Sequence, residues 1–285
     1  MSVFLGFVVG VLAVRLFVGS GRELLSAPAL LRPNHRGQGI PTAMGVLAVF
    51  AVVVVEGGRS LFASLGVGDA GTDLARVLVV TAVVGYGLLG LFDDLVGTQA
   101  DHGFRGHLGA LLQGRVTTGL VKIIGGVAIA LVLVSASRGV VSGVRAESGA
   151  RVIADALLVA LAANLANLFD RAPGRAIKIS VVAWIPIALI ARNDVVGVAI
   201  APVIGAFTGL LGDDLREHLM LGDTGANAMG AVLGLAVVLE CGTATRTAVL
   251  VVLALLTFAS ELTSFSGVID RVPVLRRLDE LGRGA

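Results

Sequence analysis

The stretch Val77-Leu-Val-Val-Thr-Ala-Val-Val-Gly-Tyr-Gly-Leu-Leu-Gly-Leu-Phe92-Asp93-Asp94 carries no charge until its last two residues, and both of those are aspartates. As a helix, an apolar run of this length crosses a hydrocarbon core about 30 Å thick. A helix also satisfies its own backbone groups where no water can. The run therefore reads as a membrane span, over about 75–92, that ends on two carboxylates where it meets water.

The same pattern recurs along the chain. Spans are expected at about 2–17, 42–56, 75–92, 119–136, 152–169, 179–191, 195–211, 225–241 and 246–260. These make an all-α polytopic membrane protein of about nine helices, in a single transmembrane domain over 1–285, with a site cleft at one membrane face. Composition agrees: 56% of the 285 residues are hydrophobic and 15% are charged, whereas a soluble domain carries about 25% charged residues. Mean hydropathy is +0.93. A net charge of +2 gives no basic excess for binding nucleic acid, and a lone cysteine, Cys241, excludes an intramolecular disulfide. The 39 glycines suit close helix packing in lipid. The apolar start, Val3 to Phe17, lacks a basic leader and a clear small-residue cleavage site, so it is taken as the first span rather than a signal peptide.

Basic residues orient the bundle. With the N-terminus outside, segments 18–41, 93–118, 170–178, 212–224 and 261–285 are cytoplasmic; they hold thirteen of the 22 Lys and Arg, against seven on the other side. This fits the positive-inside rule and places the C-terminus inside. The polar clusters with a chemical look fall on that same inner face: Asn34-His35-Arg36, Asp93-Asp94, Asn164 with Asn167 and Asp170, and Gly222-Asp223-Thr224-Gly225-Ala226-Asn227. Ionisable groups at membrane depth are costly and mark function.

Each cluster has a plain reading beside a chemical one. Asp93 and Asp94 are either a solvated helix end or a pair that holds a magnesium ion or a proton. Asn164, Asn167 and Asp170 recur every third residue on one helical face, to bind substrate or to satisfy neighbouring helices. Arg171, Arg175 and Lys178 crowd a short loop, to neutralise phosphates or to anchor it to anionic lipid. Lys122 and Lys178 are the two lysines of a chain with 20 arginines, and both fall near the inner-face clusters. Asp223 opens a helix between two glycines, either as a metal ligand beside a phosphate-binding helix N-terminus or as part of a structural turn.

In order along the chain, these residues resemble the polyprenyl-phosphate N-acetylhexosamine-1-phosphate transferases, which include the phospho-MurNAc-pentapeptide translocases and the GlcNAc-1-phosphate transferases. Gly39-Ile40-Pro41-Thr42 looks like that family's GTPT segment, Phe92-Asp93-Asp94 like its paired aspartates, and Lys122 like the lysine some thirty residues later. Asn164-x-x-Asn167-x-x-Asp170 is similar to NxxNxxDG, and Leu221-Gly222-Asp223-Thr224-Gly225-Ala226-Asn227 to GD(T/S)G(S/A). The resemblance implies Mg²⁺-dependent transfer of a phosphosugar from a UDP-sugar to a polyprenyl phosphate, releasing UMP, in cell-wall or peptidoglycan synthesis at a bacterial cytoplasmic membrane. It implies that Asp223, with Asp93, holds the metal. Asp93 and Asp94 would orient or deprotonate the lipid phosphate, and Lys122 would neutralise charge. Asn164, Asn167 and Asp170 would contact the nucleotide-sugar, with Arg175, Lys178 and Asn227 completing substrate binding. Where the family reads DGxDG, this chain has Asp170-Arg171-Ala172-Pro173-Gly174, and it has no late histidine-rich loop. It looks like a divergent branch. A homodimer is a further open expectation, and a catalytically reduced lipid-binding or assembly partner and a transporter are the alternatives.

Overall fold

The computed structural model describes residues 1–34, 37–68, 74–97, 114, 116–137 and 148–283, and it is helical apart from one small hairpin. Helix α1 (Val3–Leu24) is capped by the Ser2 hydroxyl, which accepts from the Leu5 N–H at 3.2 Å. A 3₁₀ turn leads to β1 (Leu31–Pro33), paired antiparallel with β2 (Gly39–Pro41) so that Arg32 lies opposite Ile40. His35 and Arg36 lie outside the described residues. Then follow α2 (Gly45–Ser64), α3 (Leu74–Val96), α4 (Thr118–Ser137), α5 (Gly149–Phe169) and α6 (Arg175–Ala191). Helices α7 (Val195–Thr208), α8 (Leu211–Leu215), α9 (Gly222–Glu240), α10 (Thr243–Leu262), α11 (Phe265–Arg271) and α12 (Pro273–Glu280) complete the chain.

Eight helices are long and apolar enough to cross a membrane, α7 and α8 counting together as Val195–Leu215. The protein is a multi-pass membrane protein. Nine spans were expected, and the ninth, 179–191, belongs to the 17-residue α6. At 1.5 Å per residue that helix is about 25 Å long, short for a core of about 30 Å. It nevertheless runs between the two ends of the bundle. At its start the Gly174 N–H donates to Asp214 at 3.0 Å, and beyond its end Asn193 accepts from the Val3 N–H at 2.8 Å.

Helix α9 is the axis, packed by α3, α5, α6 and α2, and α7 lies buried between α1 and α2. The outer surface is the reverse of a soluble protein's: Phe4, Leu16, Leu189 and Phe258 are exposed, and α10 buries no residue. In lipid this surface costs nothing, and packing rather than water expulsion holds the helices together.

The ends of the bundle differ. At one end, Glu56 accepts from Arg76 and Arg59, each at 2.6 Å, and the fully buried Asp155 accepts from Arg246 at 2.6 Å and from Arg151. The charge bias counted these four arginines as outer-face cations. They are spent in pairing, and Glu56 and Asp155 are the partners the sequence reading passed over. The other end carries the candidate site.

Candidate active site

Asp93 and Asp94 lie on the last turn of α3, and neighbours on a helix diverge by about 100°. Their carboxylates therefore leave the helix in different directions. Asp93 faces α4, where the Lys122 ammonium donates to it at 3.1 Å. Asp94 faces the start of α9. One of its oxygens accepts from the Asp223 N–H at 3.0 Å, and the other from the Thr224 N–H at 3.0 Å and the Thr224 hydroxyl at 2.6 Å. Helix α9 has no cap of its own, so a carboxylate from another helix satisfies its first N–H groups.

This docking requires close backbone approach. A Cβ on Gly90 would collide with the backbone of Asp223 and Thr224. Gly222 has φ +74°, and a Cβ there would come within 2.7 Å of the Ala43 nitrogen and 2.8 Å of Asp94 Oδ2. Ala43 is itself left-handed, at φ 58°. Around it the 41–45 segment is sewn to the α8–α9 connection: the Met220 N–H donates to the Pro41 carbonyl at 2.8 Å, Met44 to Met220 at 3.1 Å and Gly45 to Leu221 at 2.8 Å. Two motifs far apart in sequence are thus one structural unit.

With α9 so placed, Asp223 meets Lys122 through an ion pair, and the Asn167 amide donates to the same carboxylate oxygen at 3.1 Å. Two carboxylates from α3 and α9 therefore converge on one ammonium from α4, with an amide from α5 alongside. Their side chains keep 19% (Lys122), 22% (Asp93) and 26% (Asp223) of their exposure, so the group is recessed yet open to a ligand.

The structure brings Asp170 to the same place. It follows the end of α5, and burial, then the charges of Asp214, Asp223 and Asp94, hold its carboxyl well above the usual range, against the Gly222 N–H. Asn227 lies one turn beyond Asp223 on α9 and is buried, with its amide nitrogen unpaired. Asn164, one turn from Asn167, is exposed.

Arg175 and Lys178 depart from expectation. Arg175 is buried and grips Asp279 with two bonds of 2.7 Å, while a third of 2.7 Å reaches Ser266. Lys178 donates to the carbonyls of Leu278, Asp279 and Leu281. The C-terminal segment thus occupies both cations that were expected to meet substrate phosphates.

One acid at this end was missed. Asp214 is buried beside Gly174, and its charge faces Asp170. Its neighbour Asp213 pairs with Arg15. The signal was in the sequence, because Asp213-Asp214 closes an uncharged run just as Asp93-Asp94 does. A groove of about 620 Å³ opens beside that pair, lined by Arg15, Arg22, Glu23, Pro41 and Asp213 among others, away from the Asp93–Lys122–Asp223 group.

No family model matches the chain. The chain is 25% identical over 252 residues to the phospho-N-acetylmuramoyl-pentapeptide-transferase of Bacillus licheniformis, a match covering 81% of this chain and 72% of that protein. The similarity is distant, and it supports the resemblance to the polyprenyl-phosphate hexosamine-1-phosphate transferases at that level.

Proposed function

We propose that the protein transfers a phosphosugar from a UDP-sugar to a polyprenyl phosphate, releasing UMP, at the cytoplasmic face of a bacterial inner membrane. The observation that carries this reading is the convergence of Asp93 and Asp223 on Lys122 at one end of a membrane bundle. The distant transferase relative points the same way.

In this reaction a lipid phosphate oxygen forms a bond to the sugar-linked phosphorus. The bond from that phosphorus to the bridging oxygen breaks, and UMP leaves with the electron pair. Asp93 orients the lipid phosphate and takes its proton if one is present. Lys122, already held between two carboxylates, neutralises phosphate charge. Asn164, Asn167 and Asp170 contact the nucleotide-sugar, and Asn227, one turn beyond Asp223, completes substrate binding. Asp94 acts indirectly, by holding the start of α9.

The donor set fits magnesium. Among the described residues no three His, Cys, Asp or Glu side chains form a metal cage. Mg²⁺, however, is ordinarily held by one or two carboxylates with water and substrate phosphate oxygens. Asp223 and Asp93 are the two carboxylates, drawn to one cation already. A magnesium ion held there supplies charge neutralisation and polarisation to the phosphates.

The test is UMP release by purified protein given undecaprenyl phosphate, Mg²⁺ and a panel of UDP-sugars, with Asp223→Asn as control. Release that needs the lipid, Mg²⁺ and Asp223 supports the reading and identifies the donor. No release from any donor, with lipid phosphate still bound, overturns it in favour of a catalytically reduced relative.

A further inference from the structure

The C-terminal segment beyond the last span is pinned on one side and bare on the other. Helix α11 begins after a two-residue turn from α10, and Phe265 stacks on Phe169 at 4.9 Å. Arg175 holds Ser266 and Asp279, and Arg283 reaches the Pro173 carbonyl at 3.0 Å. Asp279 on α12 and Arg283, three residues past the helix end, both turn to the bundle and pair with each other at 2.9 Å. At about 100° per residue, Val274 and Leu278 fall on a different face of α12, with Leu281 just past the helix end and Leu275 at the edge of that face. Those side chains are 66%, 59%, 68% and 41% exposed respectively, and on α11 Val268 and Val272 are 39% and 40% exposed. Arg277 flanks the apolar face, and neither it nor Arg271 has an ion-pair partner among the described residues.

We propose that α11–α12 is an in-plane membrane anchor, with its apolar face in the lipid–water interface of the membrane that the bundle spans. Continuity selects this occupant. Ten residues before α12, α10 leaves the bilayer with a lipid-facing surface, and the Arg175 clamp holds α12 at the end of the bundle that carries the carboxylate group. A helix with one apolar face and arginines beside it lies at such an interface, its aliphatic stems in lipid and its guanidinium groups at headgroup phosphates. Since the clamp joins α12 to Arg175 and Lys178, the anchor also fixes the height of the start of α6 relative to the membrane surface. The inference stands apart from the catalytic reading.

The test places one fluorophore at a time on the full chain in a Cys241→Ser background, reconstituted in phosphatidylcholine–phosphatidylglycerol nanodiscs. Labels go on Leu278→Cys, on Glu280→Cys as the polar-face control and on Phe258→Cys as the lipid-facing reference. Brominated lipid is expected to quench the Leu278 label as strongly as the Phe258 label, with iodide quenching only the Glu280 label. Quenching of the Leu278 label by iodide and not by brominated lipid overturns the proposal. So does protection from both quenchers, because that means a second protein copy covers the face.

Discussion

Thr224 on α9 donates both its backbone N–H, at 3.0 Å, and its hydroxyl, at 2.6 Å, to one carboxylate oxygen of Asp94 on α3. Asp94 is therefore the cap of a helix from another part of the chain, while its sequence neighbour Asp93 faces the open group. The two aspartates of one motif have separable duties. Asp94→Ala removes a cap and is expected to cost about 1–2 kcal/mol, read as a lower melting temperature in detergent. Asp93→Ala is expected to remove turnover with a smaller change in melting. Equal losses of stability would refute the division.

Gly222→Ala places a Cβ at φ +74° against Ala43 and Asp94. The backbone conformation alone costs about 1–2 kcal/mol for an L-residue. The variant is expected to melt earlier than Gly212→Ala, whose Cβ meets open space. Equal melting of the two would show that the contact is relieved elsewhere.

Lys122 neutralises two carboxylates at once. In Lys122→Met those carboxylates repel each other unless a cation takes the ammonium's place. Mg²⁺ should then stabilise the variant more than the parent, approaching about 2.7 kcal/mol at a hundredfold excess over Kd. Thermal melts with and without Mg²⁺ read this without any activity assay. An identical Mg²⁺ response in both proteins would contradict it.

The Arg175–Asp279 pair should be sensitive to acid. Burial acts to raise the Asp279 carboxyl, but the hydrogen bonds and charge of Arg175, then those of Arg283, outweigh it and hold the group below its ordinary range. A lowered carboxyl stabilises above its unfolded value, about 3.9, and that contribution is lost as pH falls through the lowered folded value. Protease cutting after residue 263 is expected to stay slow at neutral and mildly acidic pH and to rise below about pH 4. Arg175→Ala leaves Asp279 with Arg283 as its remaining ion-pair partner, 2.9 Å away, and removes the tie to α6, so cutting should be faster even at neutral pH. Slow cutting of that variant would remove the clamp from the account.

At the opposite end, Asp155 is fully buried between Arg151 and Arg246. Asp155→Ala removes the buried carboxylate that Arg151 and Arg246 share and is expected to cost about 3–5 kcal/mol of stability. Asp155→Asn, which keeps an acceptor, should cost less. A harmless Asp155→Ala would mean that water reaches this cluster.

The class of fold was legible because the bilayer imposes one length on every span, and runs such as 77–92 and 246–260 repeat it. Asp93, Lys122, Asn167 and Asp223 were legible as candidates because polar groups at helix ends stand out in such a chain. Partnership was not legible. Arg175, Lys178 and Arg171 read alike as loop cations, yet the buried Arg175 is clamped to a carboxylate 104 residues away. Asp213-Asp214 had the same signature as Asp93-Asp94 and was passed over as part of a loop.

By itself, then, the sequence determined the solvent of this protein, its helices and the membrane face on which its unusual polar residues gather. Hydropathy and spacing are local properties, and lipid punishes any departure from them. Only the tertiary structure decided that Asp93 turns to Lys122 while Asp94 caps α9, that Gly90 and Gly222 admit that contact, and that the C-terminal segment takes Arg175 and Lys178. Those outcomes depend on which helix faces which, and in lipid that is settled by close packing between distant segments rather than by any pattern along the chain.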